Sequence, residues 1–362
     1  MTSRSYRTLL AIVLGCASLA AQSVFPGKEW QKADKAESAG YSTRRLAALT
    51  HLLESLDTSA MMVVSRGRVV FEYGDLTTVS YLASCRKSVL AMMYGNYVAS
   101  GQIPLGRTLR ELQMDDVGGL LPRELDATIE NIITARSGVY HLASNQGDAT
   151  DSAPPRGSQK PGTYQLYNNW DFNIAGAIFE KLTGKDIFDA LESDIARPIG
   201  MQDFDRSRLA KSGDLKRSIY PAYHMHFSTR DMARIGYLMS REGNWNGRQV
   251  IPRDWARKIV ALVTPLYDMN PPSWRGFASG ELWGYGTMWW VWDDHKREGP
   301  FAGAYSARGA FGQYITVLPE LDTVVAHKTV QGSVGGRQRG VSGTEFQAIL
   351  MHVVTAYCGA CR

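Results

Sequence analysis

Strand-like patterns stand at both ends of this chain and helical patterns fill its middle, so a single sheet must be assembled from segments far apart in sequence. Near the start, Met61-Met62-Val63-Val64 and Val69-Val70-Phe71-Glu72-Tyr73 flank a turn at Ser65-Arg66-Gly67-Arg68 and read as a β-hairpin. Further strands are expected at Gly286–Trp292, Phe301–Ala307, Tyr314–Leu318 and Val324–Thr329. Leu46, Leu49, Leu52 and Leu53 repeat at helical spacing over Ser42–Leu56, and helices are expected near Asp231–Arg241, Pro252–Leu262 and Thr344–Tyr357. The pattern predicts an α+β fold: an antiparallel sheet flanked by helices (40–83 and 280–362) with a mainly helical lobe (84–279) inserted in it. A cleft at the junction of the two lobes is where a ligand site belongs.

Ser84-Cys85-Arg86-Lys87 opens an apolar run in which Val89, Met92, Met93 and Tyr97 mark the buried face of a helix. One helical turn brings Lys87 onto the face of Ser84, with Cβ atoms roughly 5–6 Å apart. A serine hydroxyl is a weak nucleophile, and a neighbour that removes its proton during attack contributes about 10²–10⁴ in rate. The helix start adds free N–H groups and a partial positive charge that favour an oxyanion. A second segment, Tyr167-Asn168-Asn169, follows Pro161-Gly162-Thr163 and precedes an apolar run through Ile174, Ala175, Ile178 and Leu182. Its phenol can relay a proton from the serine to a leaving group, and the amide of Asn169 can hold the lysine and a substrate carbonyl; the same residues also suit a helix-capping turn. The third is Ala307-Arg308-Gly309-Ala310-Phe311-Gly312-Gln313, whose small residues Gly309 and Ala310 would let a strand edge approach a bound acyl group and complete an oxyanion hole with the N–H of Ser84.

Together these segments resemble the serine beta-lactamase and penicillin-binding-protein superfamily. The closer likeness is to class C beta-lactamases, their esterase relatives and the 6-aminohexanoate-dimer (nylon oligomer) hydrolases. The resemblance extends over most of the chain, through Ser137-Gly138-Val139, Glu180-Lys181-Leu182-Thr183-Gly184-Lys185, Arg197-Pro198-Ile199-Gly200-Met201, Ser228–Arg234 and Gly284-Tyr285-Gly286. It implies a beta-lactamase/transpeptidase-like fold, with Ser84 as nucleophile, Lys87 as its base, Tyr167 as proton relay and Asn169 as an orienting group. Tyr140 stands where nylon oligomer hydrolases place a substrate-contacting tyrosine, with a structural tyrosine as the alternative. Class C enzymes carry Lys-Thr-Gly where this chain has Ala307-Arg308-Gly309. The cation that helps bind a beta-lactam carboxylate is therefore absent from its usual place, and Arg308, one residue later on a strand, points to the opposite face.

The reading is a serine hydrolase, without cofactor or metal, that cleaves a small-molecule ester or amide through an acyl-Ser84 intermediate. Its rivals are a beta-lactamase or D-alanyl-D-alanine carboxypeptidase, and a cell-wall ligand-binding module without turnover. A lysine ordinarily holds its proton to about pH 10.4, so burial and nearby cations must act on Lys87 before it can serve as base. Whether Lys87 or Tyr167 takes the proton stays open.

The rest bounds the setting. The 362 residues, 44% of them apolar, suffice for a full core. A net charge of +5 without basic clusters interleaved with aromatics argues against nucleic acid. Arg4 and Arg7 before Leu9–Leu14, with small residues at Ser18-Leu19-Ala20, read as an export signal over 1–21, and hence a periplasmic or secreted enzyme. Val13-Leu14-Gly15-Cys16 resembles a lipobox, so membrane attachment would come only through a lipidated Cys16. Cys358 and Cys361 fit a local disulfide, and Cys85 a packed thiol. His224 and His226 alternate as on a strand but lack a third metal ligand at sensible spacing. Asp148, Asp151 and Glu180 form no acid pair, the 141–160 loop is long enough to border a site, and the tryptophans at 283, 289, 290 and 292 belong to core or cleft wall, one of them lining an acyl pocket. Oligomeric state is not legible.

Overall fold

The computed structural model describes residues 24–145, 147, 150–276, 280–334 and 337–361; the export segment with Cys16, and Asp148, lie outside them. Helix α1 (Thr43–Glu54) buries Leu46, Leu49 and Leu53 and begins at Ser42, whose hydroxyl caps Arg45 N. The hairpin follows as β1 (Ala60–Ser65) and β2 (Arg68–Gly74). A short strand β3 (Ser80–Tyr81) leads into α2 (Cys85–Ala99), and the helical lobe continues through α3 (Ile129–Ile133), α4 (Asn169–Thr183) and α5 (Ile187–Leu191). The chain then returns through β4 (His226–Phe227), which pairs with β3, to α6 (Thr229–Ser240) and α7 (Arg253–Ile259). The remaining strands of the main sheet are β5 (Trp283–Tyr285), β6 (Trp290–Trp292), β7 (Tyr305–Gly309), β8 (Gln313–Leu318) and β9 (Thr323–Lys328), and α8 (Gly343–Ala356) ends the fold.

Seven strands form one antiparallel sheet in the order β2-β1-β9-β8-β7-β6-β5. The N-terminal hairpin thus pairs with the C-terminal strands, as the distribution of patterns predicts. One face carries α1 and α8, where Leu49, Leu53, Ile349 and Val353 are buried together with Val63 and Val325. The other face carries α2 and α6. There Gly236 of α6 lies so close to the sheet that a Cβ would meet Val324 Cγ1 at 2.4 Å and Ile315 Cγ2 at 2.9 Å, so α6, though its residues fall within 84–279, packs on the sheet.

Three expectations need correction. The segment expected as one strand, Gly286–Trp292, is a tight turn followed by β6, and the preceding residues form β5. Gly286 N donates to Trp289 O at 2.8 Å to close that turn, and a side chain at Gly286 would strike the carbonyls of Ile259 and Ala261. The strand expected at Phe301–Ala307 starts later and runs on to Gly309, because Ala304 N turns back onto Phe301 O. Helix α2, expected to bury one face, is buried on all sides from Cys85 to Gly95, since it runs between sheet and helical lobe. Among the described residues no helix is long and apolar enough to cross a membrane.

Candidate active site

Ser84 stands at the N-terminal boundary of α2, partly exposed, and its hydroxyl is not spent on capping the helix. The residue before it, Ala83, has φ +48°, a left-handed conformation that costs a non-glycine residue about 1–3 kcal/mol and persists only where surroundings enforce it. Leu82 N donates to Met225 O (2.9 Å), and Arg86 donates from Nη1 to Ala83 O (3.2 Å), pinning the bend on both sides. The guanidinium of Arg86 is buried over the ring of Tyr223 (5.2 Å), and its Nε and Nη2 find no partner among the described residues. The charge of Arg86 adds to the positive potential at the start of α2.

Lys87 is 1% exposed. Its Nζ donates to Tyr167 Oη at 2.8 Å and to Asn169 Oδ1 at 2.8 Å, and lies 4.1 Å from the ring centre of Tyr167 and 4.3 Å from that of Phe172. Two consecutive asparagines divide the work. Asn168 Oδ1 caps α4 by accepting from Asp171 N, while Asn169, the first residue of the helix, reaches the lysine and donates from Nδ2 to Asn145 O. The capping turn and the orienting amide are thus neighbouring residues of one motif.

Opposite Ser84, Gly309 closes the strand side. A Cβ at Gly309 would lie 2.6 Å from Leu82 O and 3.1 Å from Ser84 N, so the end of β7 sits directly against the backbone of Ser84. Ala310 follows in an exposed turn. Ala307, on the same face of β7 as Gly309, is fully buried in the apolar core. Arg308 points the other way. It donates from Nη2 to Glu281 Oε1 (2.7 Å) and lies over Trp283, Trp290 and Tyr314, so its charge is neutralised away from Ala307's position.

Tyr140 lies beside a small cavity shared with Asn168 and Asn169, edge-on to Tyr164 (6.5 Å between ring centres), and its hydroxyl finds no partner among the described residues. Burial and the nearby Asp171 carboxyl push its phenol up. Asp171 itself was not singled out by sequence. Fully buried, it accepts from Ser137 Oγ (2.6 Å) and so ties α4 to the Ser137-Gly138-Val139 turn, and burial pushes its carboxyl up to about 8. Arg86 and Phe172 were missed as well. The signal for Arg86 was a charge inside an otherwise apolar helix; Phe172 and Asp171 sit one turn beyond Tyr167 and Asn168.

The remaining candidates lie elsewhere. Among the described residues no three metal-ligating side chains cluster, and both ring nitrogens of His224 are engaged, with Ser212 Oγ and Tyr81 Oη. Glu180 binds Lys211 and Asp151 is exposed. Cys358 and Cys361 are bonded to each other, and Cys85 is buried with its thiol pushed far up by desolvation.

The family model described as Beta-lactamase matches residues 47–331. No curated protein matches the chain by sequence. Among solved structures, a protein of Bacillus anthracis described as a 6-aminohexanoate-dimer hydrolase is 18% identical with a TM-score of 0.64, over 90% of this chain and 87% of that one. EstCE1, a hydrolase with promiscuous acyltransferase activity, is 14% identical with a TM-score of 0.62, over 88% and 99%. A penicillin-binding protein homologue of Caulobacter crescentus is 16% identical with a TM-score of 0.60, over 86% and 97%. The resemblance read from the motifs is borne out, as is the fold it implied.

Proposed function

From the premise that this chain belongs to the beta-lactamase family, we propose that it is a serine hydrolase that cleaves a neutral ester or amide through an acyl-Ser84 intermediate. The observation that carries this reading is the lysine at the centre of the site: Lys87 Nζ at 2.8 Å from both Tyr167 Oη and Asn169 Oδ1, one turn after a serine held on a strained bend. Ser84 Oγ attacks the carbonyl carbon while its proton passes into the Lys87–Tyr167 pair. The oxyanion is held by the N–H groups of Ser84 and Ala310. As the tetrahedral intermediate collapses, the C–O or C–N bond breaks and the pair returns the proton to the leaving alcohol or amine. Water then attacks the acyl-enzyme through the same pair, releasing the carboxylic acid and restoring Ser84.

The alternative nucleophiles are poor. Cys85 is buried and donates from Sγ to Gln313 O, and Ser88 donates to Met288 O at 2.5 Å. Fluorophosphonate labelling followed by peptide mapping should place the adduct on Ser84, and Ser84→Ala should abolish both labelling and turnover. An adduct on Cys85 or Ser88 would refute the assignment. Turnover of carboxylated beta-lactams is expected to be weak, because Ala307 supplies no cation and Arg308 is paired with Glu281; fast nitrocefin hydrolysis would favour the beta-lactamase reading instead. Export through 1–21, with or without lipidation of Cys16, completes the proposal. The Cys358–Cys361 bond supports it, since such bonds persist in oxidising compartments, and fractionation of expressing cells tests it.

A further inference from the structure

The phenol of Tyr167 is the hub of an aromatic cluster as well as a partner of Lys87. Its ring centre lies 4.7 Å from Phe172, 5.6 Å from Trp274, 5.7 Å from Tyr285 and 5.7 Å from Trp290. Phe172 and Tyr285 are fully buried, whereas Trp274 and Trp290 are only partly covered. The two indoles lie 6.2 Å apart at an interplanar angle of 34°. Trp170 and Trp289 are buried completely, whereas Trp30 and Trp292 are partly covered like these two; what sets Trp274 and Trp290 apart is that both lie against the ring of Tyr167. Two indoles left partly wet beside a proton relay are a surface whose covering by an apolar group is favourable.

The charges nearby are already taken. Arg308 packs on Trp290 but is tied to Glu281, and Lys87 is held by Tyr167 and Asn169. The wall therefore presents π faces and apolar edges, with its nearest cation neutralised. Which part of a substrate meets this wall follows from the chemistry. The group that receives a proton from Tyr167 is the leaving alcohol or amine, so whatever flanks the ring of Tyr167 flanks the leaving group.

We propose that Trp274 and Trp290 form the leaving-group subsite, and that the substrates are neutral esters or amides whose leaving group is apolar and ring-bearing, such as an aryl-substituted alcohol or amine. This inference rests on the serine hydrolase reading above. It assigns a specificity-determining role to residues on two separate elements, the short helical turn Pro272–Arg275 and β6.

The test compares benzyl acetate with ethyl acetate, which share an acyl group and release alcohols of similar acidity. The wild-type enzyme should favour the benzyl ester in kcat/KM by roughly tenfold or more, the scale on which a pocket discriminates added apolar bulk. Trp274→Ala and Trp290→Ala should each remove most of that preference, lowering kcat/KM on benzyl acetate several-fold more than on ethyl acetate. Trp274→Phe, which keeps an aromatic face, should retain it. For ethyl phenylacetate against ethyl acetate, where the ring is on the acyl side, the tryptophan variants should leave the ratio unchanged. Equal rates on benzyl and ethyl esters, parallel loss of both in the alanine variants, or an effect confined to the acyl-side pair would overturn the proposal. If Ser84 fails to label with fluorophosphonate, the hydrolase reading falls independently. Benzyl alcohol binding, followed by tryptophan fluorescence in wild type and Trp274→Ala, then decides the subsite alone: saturable quenching lost in the variant supports it, and none in wild type refutes it.

Discussion

Gly309 leaves no room for a side chain against the backbone of Leu82 and Ser84, and this can be tested by a single methyl group. In Gly309→Ala the new Cβ would stand 2.6 Å from Leu82 O, 3.1 Å from Ser84 N and 3.1 Å from Gln313 Cβ. Two of these neighbours are backbone, and neither is free to yield. Leu82 N is bonded to Met225 O, and Gly309 is paired with Gln313 across β7 and β8. Relief requires several tenths of an ångström of separation between the end of β7 and the Leu82–Ser84 bend, a strain of about 1–3 kcal/mol by the measure of overpacked cores. The same movement pulls the N–H of Ser84 away from that of Ala310. Losing one oxyanion donor costs about 10²–10³ in kcat, so Gly309→Ala should lose that order of activity on a chromogenic acetate ester, and its Tm should fall by a few degrees, about 2–4 °C per kcal/mol at most for a chain this long. Fluorophosphonate labelling should slow in parallel, because the phosphoryl oxygen uses the same donors. Gly106→Ala is the control, since a Cβ there meets nothing within 4 Å and its φ is ordinary. If Gly309→Ala keeps more than a third of wild-type activity, the strand end does not bear on the nucleophile as argued.

Three further outcomes are expected. If Lys87 and Tyr167 move one proton between them, Lys87→Ala and Tyr167→Phe should each cost about 10²–10⁴ in kcat and the double variant little more; multiplying losses would show that Tyr167 acts as pocket wall. Asn169→Ala should impair turnover with little loss of stability, whereas Asn168→Ala, which removes the cap of α4, should lower stability by about 1 kcal/mol and spare chemistry; equal effects at the two positions in denaturant melts and rates would contradict that division. Asp171 ionises at about 8 in the folded chain but near 3.9 when unfolded. The folded state thus keeps a proton that the unfolded state loses, and this contribution to stability, full below about pH 4, declines as pH rises to about 8. Asp231, raised to about 6 by burial, acts in the same direction. Asp171→Asn should flatten the decline of Tm between those limits, and a curve parallel to wild type would refute the assignment.

What was legible in the sequence was local. The period of Leu46, Leu49 and Leu53 gave α1, the apolar runs Met61–Val64 and Val69–Tyr73 on either side of a turn gave the hairpin, and a serine one turn before a lysine needs only helical geometry to become a site. Strand limits failed where the deciding contact was distant. Gly286 reads as part of a continuous strand until the carbonyls of Ile259 and Ala261, brought up by α7, leave room there only for a glycine in a turn. The burial of α2 on every side was hidden for the same reason. Its own residues mark one apolar face, and the other becomes interior only when α4, α7 and β7 close over it.

Charge shows the same limit with more consequence for function. The alternation of a strand was enough to turn Arg308 away from Ala307's face. It could not reveal that Glu281, 27 residues earlier, lies 2.7 Å from the guanidinium and cancels it. Nor could it place Trp274 against Tyr167 across more than a hundred residues of chain, since a tryptophan in a short turn just after two prolines carries no periodicity. Together these two contacts do what neither does alone. One pairs Arg308 with Glu281 and the other sets an indole against Tyr167, so on the function proposed above apolar substrates would be favoured by attraction and carboxylates disfavoured by the cost of leaving a negative charge without a partner. The proposed substrate choice therefore rests on pairings between distant segments, while the proposed acyl-transfer chemistry rests on short motifs, and that is why the second was readable before the first.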